Sequence, residues 1–178
     1  HGDFAQVERW LASESWLLER FVRMEGLREW KEVVPKDLSA PSGVFRHALN
    51  GQQLLLMQAW KHARSGDGES ARALLDRDFA FWRMVLRSAD TLIAKTVATD
   101  ALERNLSVGN LVLRDLHAAG GSTAPPTAWL QPITREDRSM RRVFAAEYIL
   151  QSSVLTSIAD KPGLVSSNKL KDALVRPF

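Results

Sequence analysis

Five polar side chains interrupt the apolar faces of the helices that this sequence predicts, and their types could do chemistry. On a helical wheel, Glu147 and Gln151 lie at the centre of an aliphatic and aromatic arc. Asp78 and Gln52 take matching places in two earlier helices, and Lys95 faces inward from another. Carboxylates, an amine and amides that meet inside a protein can form a pocket that binds a ligand or transfers protons.

A structural interpretation competes with the pocket. A buried carboxylate costs roughly several kcal/mol unless it is paired. We therefore expect Lys95 to meet Asp78, Glu147 or both, with Gln52 or Gln151 filling the remaining hydrogen-bonding capacity. A closed network of this kind fixes helix register and does no chemistry, and we favour it over a ligand pocket. A third possibility is that the wheel is rotated from the true orientation, which would leave one or more of these residues exposed.

Motifs for metal binding or catalysis are missing from the sequence. The chain has no cysteine, which excludes disulfides, thiolate metal sites and a cysteine nucleophile. None of the four histidines pairs with another histidine or an acid at helical spacing on a shared apolar face. Phosphate-binding loops, dinucleotide fingerprints, nucleophile elbows and zinc-protease motifs are also missing. We predict no metal and no cofactor, and we assign no catalytic residue.

Two surface features could contact a partner. Trp129 lies in a proline-rich loop and could anchor a protein, although docking onto its own domain is the commoner fate. Arg138 and Arg142 share a helix face that could receive an anionic group, but Glu136 and Asp137 interrupt its positive field. The net charge of +3 is too small to indicate a polyanionic partner, and aromatics do not interleave with these arginines. We expect a protein partner and no nucleic acid.

The elements that position these residues are helical, because strand patterns are nearly absent and helical periodicity runs along the chain. We expect Ser42 to cap one helix and Thr134 another, with Asp137 completing a variant capping box. The predicted fold is a single all-α domain over residues 3–178, with about six to seven helices packed as antiparallel hairpins. The predicted helices cover about residues 4–25, 43–64, 69–87, 90–105, 108–119, 134–158 and 167–175.

One predicted hairpin has small residues at positions that are typical of a known type of helical repeat. The run "AWKHARSGDGESARALL" resembles a tetratricopeptide-type hairpin in Ala59, Gly66 and Ala71. It departs from that family because its second helix does not end in proline and no second copy follows at a period of about 34 residues. The resemblance implies stacked helical hairpins rather than a repeat array.

The function that we predict from this organisation is an α-helical protein-interaction or scaffold domain. The alternatives are a small-molecule binder or hydrolase that uses Glu147, Asp78 and Lys95, or an inhibitor or immunity-type protein. No apolar run approaches the roughly 20 residues that span a bilayer. We interpret His1-Gly2 as a tag remnant. The start without methionine and the end at "VRPF" favour the soluble part of an exported or membrane-anchored protein, periplasmic rather than cytoplasmic, and the style rich in Ala, Leu and Arg favours a bacterial one.

Overall fold

The computed structural model describes residues 4–32, 45–122 and 124–159. Within these ranges all regular structure is helical and no strand is present, which confirms the all-α prediction. The elements are α1 (Phe4–Ser13), α2 (Ser15–Glu25), α3 (Arg46–Arg64), α4 (Gly68–Ser88), α5 (Leu92–Ala118), a 3-10 turn (Thr127–Leu130), α6 (Arg135–Arg138) and α7 (Arg141–Ala159).

The core forms where α3, α4 and α5 pack against one another. Leu55, Trp82 and Val85 are fully buried there, and Phe21 of α2 closes one side. Helix α4 is the central element, because the 3-10 turn and α6 also pack on it. A polar side chain of α4 must therefore find its hydrogen-bond partners within the protein.

The turn between α3 and α4 follows the sequence signals. Gly66 has a φ of 80°, a left-handed conformation that glycine adopts without steric cost. Asp67 then caps α4, since its side chain accepts a hydrogen bond from the Ser70 backbone N–H at 3.1 Å. So short a connection makes α3 and α4 an antiparallel pair, as predicted.

Helix α5 differs from the prediction because it is one continuous helix of 27 residues where two were expected. Gly109, which lies inside α5, makes room for a neighbour. A Cβ added to Gly109 would lie 2.6 Å from the indole ring of Trp129. Conversely, the first predicted helix is divided into α1 and α2 at Glu14, whose ψ of 19° departs from helical geometry.

The helix predicted at 134–158 is also divided in two. The capping box is present as predicted: Thr134 Oγ1 accepts from the Asp137 N–H at 3.2 Å, and Asp137 Oδ2 accepts from the Thr134 N–H at 2.8 Å. Helix α6 nevertheless ends after one turn, because Ser139 has an extended ψ of 130°. This break gives α7 a direction of its own. The predicted Ser42 cap and the helix at 167–175 lie outside the described residues.

Candidate functional site

The first polar cluster consists of Gln52, Asp78 and Asn105, and we call it the Asp78 cluster. Asp78 Oδ2 accepts hydrogen bonds from Gln52 Nε2 at 2.9 Å and Asn105 Nδ2 at 2.8 Å. The same two amides also donate to the carbonyls of Ala101 at 2.8 Å and Leu75 at 3.1 Å. Because the three side chains come from α3, α4 and α5 and have no exposed surface, the cluster joins the core helices to one another.

Burial raises the pKa of Asp78 to about 6, because the two amide donors offset only part of the lost hydration. Among the described residues, Asp78 Oδ1 and Gln52 Oε1 have no hydrogen-bond partner. A ligand could reach the Asp78 carboxyl group only if the core helices separated, so the geometry fits a structural role.

Glu25, at the end of α2, is a second buried acid close to this cluster. Its side chain has 0% exposure, and Oε2 accepts from Arg77 Nε at 2.7 Å. Burial raises the pKa of Glu25 to about 7, the Arg77 hydrogen bond opposes that rise, and the charge of Asp78 adds to it. Sequence reasoning missed Glu25, although it lies one helical turn after the core residue Phe21, the kind of spacing that revealed Asp78.

The second cluster is ionic, and we call it the Asp137 cluster. Asp137 is fully buried, and its Oδ2 accepts from Arg83 Nη2 at 2.8 Å and Nε at 3.0 Å. Its Oδ1 accepts from Arg87 Nε at 3.0 Å. Arg83 also donates to the backbone carbonyls of Gln131 and Pro132. Two arginines of α4 thus hold the loop and the capping box that precede α7.

Ionisation of Asp137 follows from these partners. Burial alone would raise its pKa, but the hydrogen bonds from Arg83, Thr134 and Arg87 outweigh burial and hold the pKa well below its usual range. Asp137 is therefore a carboxylate throughout the neutral range. Sequence reasoning identified its capping role but gave no sign of its burial, which depends on α6 packing against α4.

Lys95 completes the Asp137 cluster through backbone carbonyls. Its Nζ donates to the carbonyl oxygens of Leu86 at 2.9 Å, Asp137 at 2.9 Å and Ser139 at 2.7 Å. These three bonds use every hydrogen of the ammonium group. Burial lowers the pKa of Lys95, and the nearby charge of Asp137 partly restores it. Lys95 therefore connects α5 with the end of α4 and with the segment that enters α7.

The structure brings together only two members of the predicted network, Gln52 and Asp78. The predicted pairing of Lys95 with Asp78 or Glu147 is wrong, because the ammonium group lies among the carbonyls of the Asp137 cluster. Glu147 is half-buried and Gln151 is exposed. Neither residue belongs to a buried network, since α7 buries only Val143 and Ala146, near its start.

Helix α7 buries Val143 and Ala146 near its start, but no residue from 147 to 157 is buried. Part of the arc predicted to face the core faces outward instead: Phe144 is 67%, Tyr148 72% and Leu155 67% exposed, whereas Val143 of the same arc is buried. Gln151 lies on the same helix face as these three exposed side chains and forms a row with them. The row has spacings of four, three and four residues, which place its members on one helix face. We call it the outer seam: Phe144, Tyr148, Gln151 and Leu155.

The two predicted surface contacts have different outcomes. Trp129 is half-buried, and its Nε1 donates to Asn105 Oδ1 at 2.8 Å, so this tryptophan docks onto its own domain. Arg142 Nε donates to Asp90 Oδ1 at 2.8 Å, which ties the start of α7 to the loop before α5. Arg138 is exposed at the end of α6. A partner contact at these positions stays a prediction, and for Trp129 the geometry argues against it.

Two grooves among the described residues lie away from the predicted pocket. A groove of about 660 Å³ is lined mainly by α3 and α5, and one of about 400 Å³ by α2 and α3. Neither lining includes Gln52, Asp78, Lys95 or Glu147. Across the described ranges, no group of three or more metal-ligating side chains is found. No helix in those ranges has the length and apolarity needed to cross a membrane.

No protein-family model, no curated protein and no solved structure matches this chain. A fold of packed helices does not by itself indicate an activity, because function is carried by sites placed on folds. Three features of the molecule therefore bear on its function: the two buried clusters, the path of the chain into α7 and the outer seam.

Proposed function

We propose that this chain is an α-helical protein-interaction domain that contacts its partner through the outer seam. The supporting observation is that three large apolar side chains of one helix, Phe144, Tyr148 and Leu155, are each more than half exposed. Apolar residues in a row at helical spacing are the anchors used in helix-in-groove and helix–helix recognition. Isolated exposed apolar residues are common on proteins, whereas a row on one face marks an interaction surface.

The Asp137 cluster supports this role by fixing where α7 begins. Lys95 binds the carbonyls of Asp137 and Ser139, just before the first residue of α7. Arg142 in the first turn binds Asp90, and Val143 is 1% exposed. A recognition helix that is already held in place loses less conformational entropy when it binds. The buried charges therefore serve recognition by positioning the helix and not by contacting the partner.

The finer parts of the prediction belong to the same proposal. The α3–α4 hairpin, which resembles a tetratricopeptide-type hairpin, would act as the platform that carries α7. A periplasmic or membrane-anchored location stays a prediction. A small-molecule binder or hydrolase that uses Asp78, Lys95 and Glu147 has lost its geometric basis, since these residues do not converge. An inhibitor or immunity-type protein would use the same seam and would differ only in that its partner is an enzyme.

Site-specific photo-crosslinking tests the proposal. A photo-reactive amino acid replaces Tyr148 in cells that express the chain, and a matched variant carries it at Leu111 on α5, which is 48% exposed. We expect one discrete adduct from position 148 and none from position 111. The adduct should disappear in the Phe144→Ser, Leu155→Ser background, and the same double variant should weaken binding to the purified partner in calorimetry.

A stability measurement distinguishes an interaction surface from a part of the fold. Because the outer seam contacts solvent, Phe144→Ser with Leu155→Ser should change the free energy of unfolding by less than about 0.5 kcal/mol. Val143→Ser on the buried side of α7 should cost roughly 2 kcal/mol. If the seam variant costs as much as Val143→Ser, the seam is covered in the folded chain and the proposal is wrong.

A further inference from the structure

We infer that the partner of the outer seam is a second copy of this chain, bound by antiparallel pairing of two α7 helices. This inference rests on the proposed function. It starts from the spacing of the seam residues, which is four, three and four positions and therefore reads the same in both directions. A two-fold axis requires such a surface, because each residue that contacts a second position must be contacted by it in return.

The residue types match as well as the spacing. With the two-fold axis midway between Tyr148 and Gln151, Phe144 faces Leu155 of the second copy and Tyr148 faces Gln151 of the second copy. An aromatic and an aliphatic side chain then meet at each end of the interface. At its centre, the phenolic hydroxyl and the carboxamide can hydrogen-bond to each other. The amide of the seam thereby finds its partner in the one seam residue that has both an apolar body and a polar tip.

The charges of α7 favour antiparallel over parallel pairing. From residue 141 to 157, the basic residues are Arg141 and Arg142, and both lie in the first turn. The backbone amides of that turn add positive partial charge. Parallel pairing would bring the two positive ends together. Antiparallel pairing places each first turn, with its exposed Arg141, beside the last turn of the second copy, whose carbonyls carry negative partial charge.

The interface would be small. A pair of two-heptad seams buries less than the roughly 800 Å² per partner of a standard interface. We therefore expect a reversible dimer that dissociates on dilution, rather than an obligate dimer. Packing of knobs into holes along the row would set the register, because a shift by one turn would place Gln151 against an apolar side chain.

Engineered cysteines test both the partner and the orientation, and the chain suits this experiment because it has no cysteine of its own. Tyr148→Cys and Gln151→Cys are made separately, given tags of different mass, mixed and oxidised under mild conditions. In antiparallel pairing, positions 148 and 151 face each other at a separation that a disulfide can bridge. Two copies of position 148 are offset by about 4.5 Å along the axis. We expect the mixed disulfide to form faster than either symmetric one.

A second pair and a control sharpen the result. Phe144→Cys mixed with Leu155→Cys should also give a mixed disulfide, whereas Leu111→Cys on α5 should stay unlinked. Sedimentation of the unmodified chain should show a monomer that becomes a dimer as concentration rises. Phe144→Ser should raise the dissociation constant at least about tenfold, because it removes an apolar anchor from both ends of the interface.

Each contrary result has a distinct meaning. Faster symmetric disulfides at 148 or at 151 would show parallel pairing and overturn the inference. A chain that stays monomeric at every concentration, while photo-crosslinking at 148 yields a discrete adduct with another protein, would overturn the second copy but keep the proposed function. A monomeric chain whose melting temperature falls in Phe144→Ser would show that its own residues cover the seam, which overturns both.

Discussion

Asp78 and Asp137 are both fully buried, yet their pKa values move in opposite directions. Amide donors surround Asp78, and they offset too little of the lost hydration to keep it charged at low pH. Guanidinium groups bind Asp137, and their charge outweighs the same loss. The comparison teaches that the partners of a buried acid, and not its burial alone, decide its ionisation. It also separates two tasks, joining the core helices and fixing the start of α7.

Removing the ionic partner should have the largest effect. Asp137→Ala leaves the guanidinium of Arg83 buried without its counter-charge and removes one of the two hydrogen bonds of the capping box of α6. We expect the free energy of unfolding to fall by about 3–5 kcal/mol, measured by urea denaturation at pH 7. Glu136→Ala on the same short helix is the exposed control and should have little effect. A loss below about 1 kcal/mol would show that the Asp137 cluster contributes little to stability.

Lys95→Met tests the Asp137 cluster by removing a positive charge instead of the negative one. The substitution keeps most of the side-chain volume but leaves the carbonyls of Leu86, Asp137 and Ser139 without this donor. We expect a loss of about 2–3 kcal/mol, because three buried acceptors lose a charged donor. Lys61→Met, whose side chain is 43% exposed, is the matched control. A melting temperature near that of the unmodified chain would contradict a buried role for Lys95.

The Asp78 cluster should produce a smaller effect that depends on pH. Asp78 has a pKa of about 6 when folded and an ordinary value of 3.8, so its folded form binds a proton more tightly. This tighter proton binding stabilises the folded chain fully below pH 3.8, and the stabilisation is lost as the pH rises through about 6. Glu25 extends the loss to about pH 7. Asp137 affects stability in the opposite sense, because its folded pKa lies below the ordinary value of 3.8. Its contribution to stability is complete above that pH and is lost as the pH falls further.

Asp78→Asn should remove the loss of stability that the charged Asp78 carboxylate causes at high pH. The amide oxygen can still accept from Gln52 and Asn105, and the side chain carries no charge at any pH. We expect the free energy of unfolding at pH 8 to rise by about 1–2 kcal/mol over the unmodified chain, and the difference to shrink at low pH. Asp100→Asn on the exposed side of α5 should leave the profile unchanged. A variant that is less stable than the unmodified chain at pH 8 would contradict a raised pKa for Asp78.

The sequence located two of the three residues of the Asp78 cluster, Gln52 and Asp78, and did not predict the Asp137 cluster. Gln52 and Asp78 interrupt single apolar arcs, and their helices bury those arcs, so the wheel located both residues. Asn105 escaped notice because the predicted helix ended at that residue, whereas α5 continues to Ala118. Lys95 was recognised as inward, but its partners are backbone carbonyls, and a carbonyl leaves no mark in the sequence.

Helix α7 shows why a pattern of side chains does not determine which face is covered. Periodicity correctly placed Phe144, Tyr148 and Leu155 on one face of a helix. It could not reveal that the helix breaks at Ser139 or that this face is exposed. Glu147 and Gln151 were assigned to the interior because periodicity does not show which face of a helix is covered. Which faces are covered depends on tertiary contacts, and helical periodicity does not encode them.

Hydrogen exchange of α7 tests the central claim, that the Asp137 cluster positions this helix while the Asp78 cluster serves the core. Asp137→Asn and Asp78→Asn are compared with the unmodified chain by mass spectrometry at pH 7, after circular dichroism shows that each is folded. The account predicts faster exchange across residues 141–159 in Asp137→Asn, with protection kept in α3 to α5, and unchanged exchange of α7 in Asp78→Asn. Exchange of α7 in Asp137→Asn at the rate of the unmodified chain would contradict it.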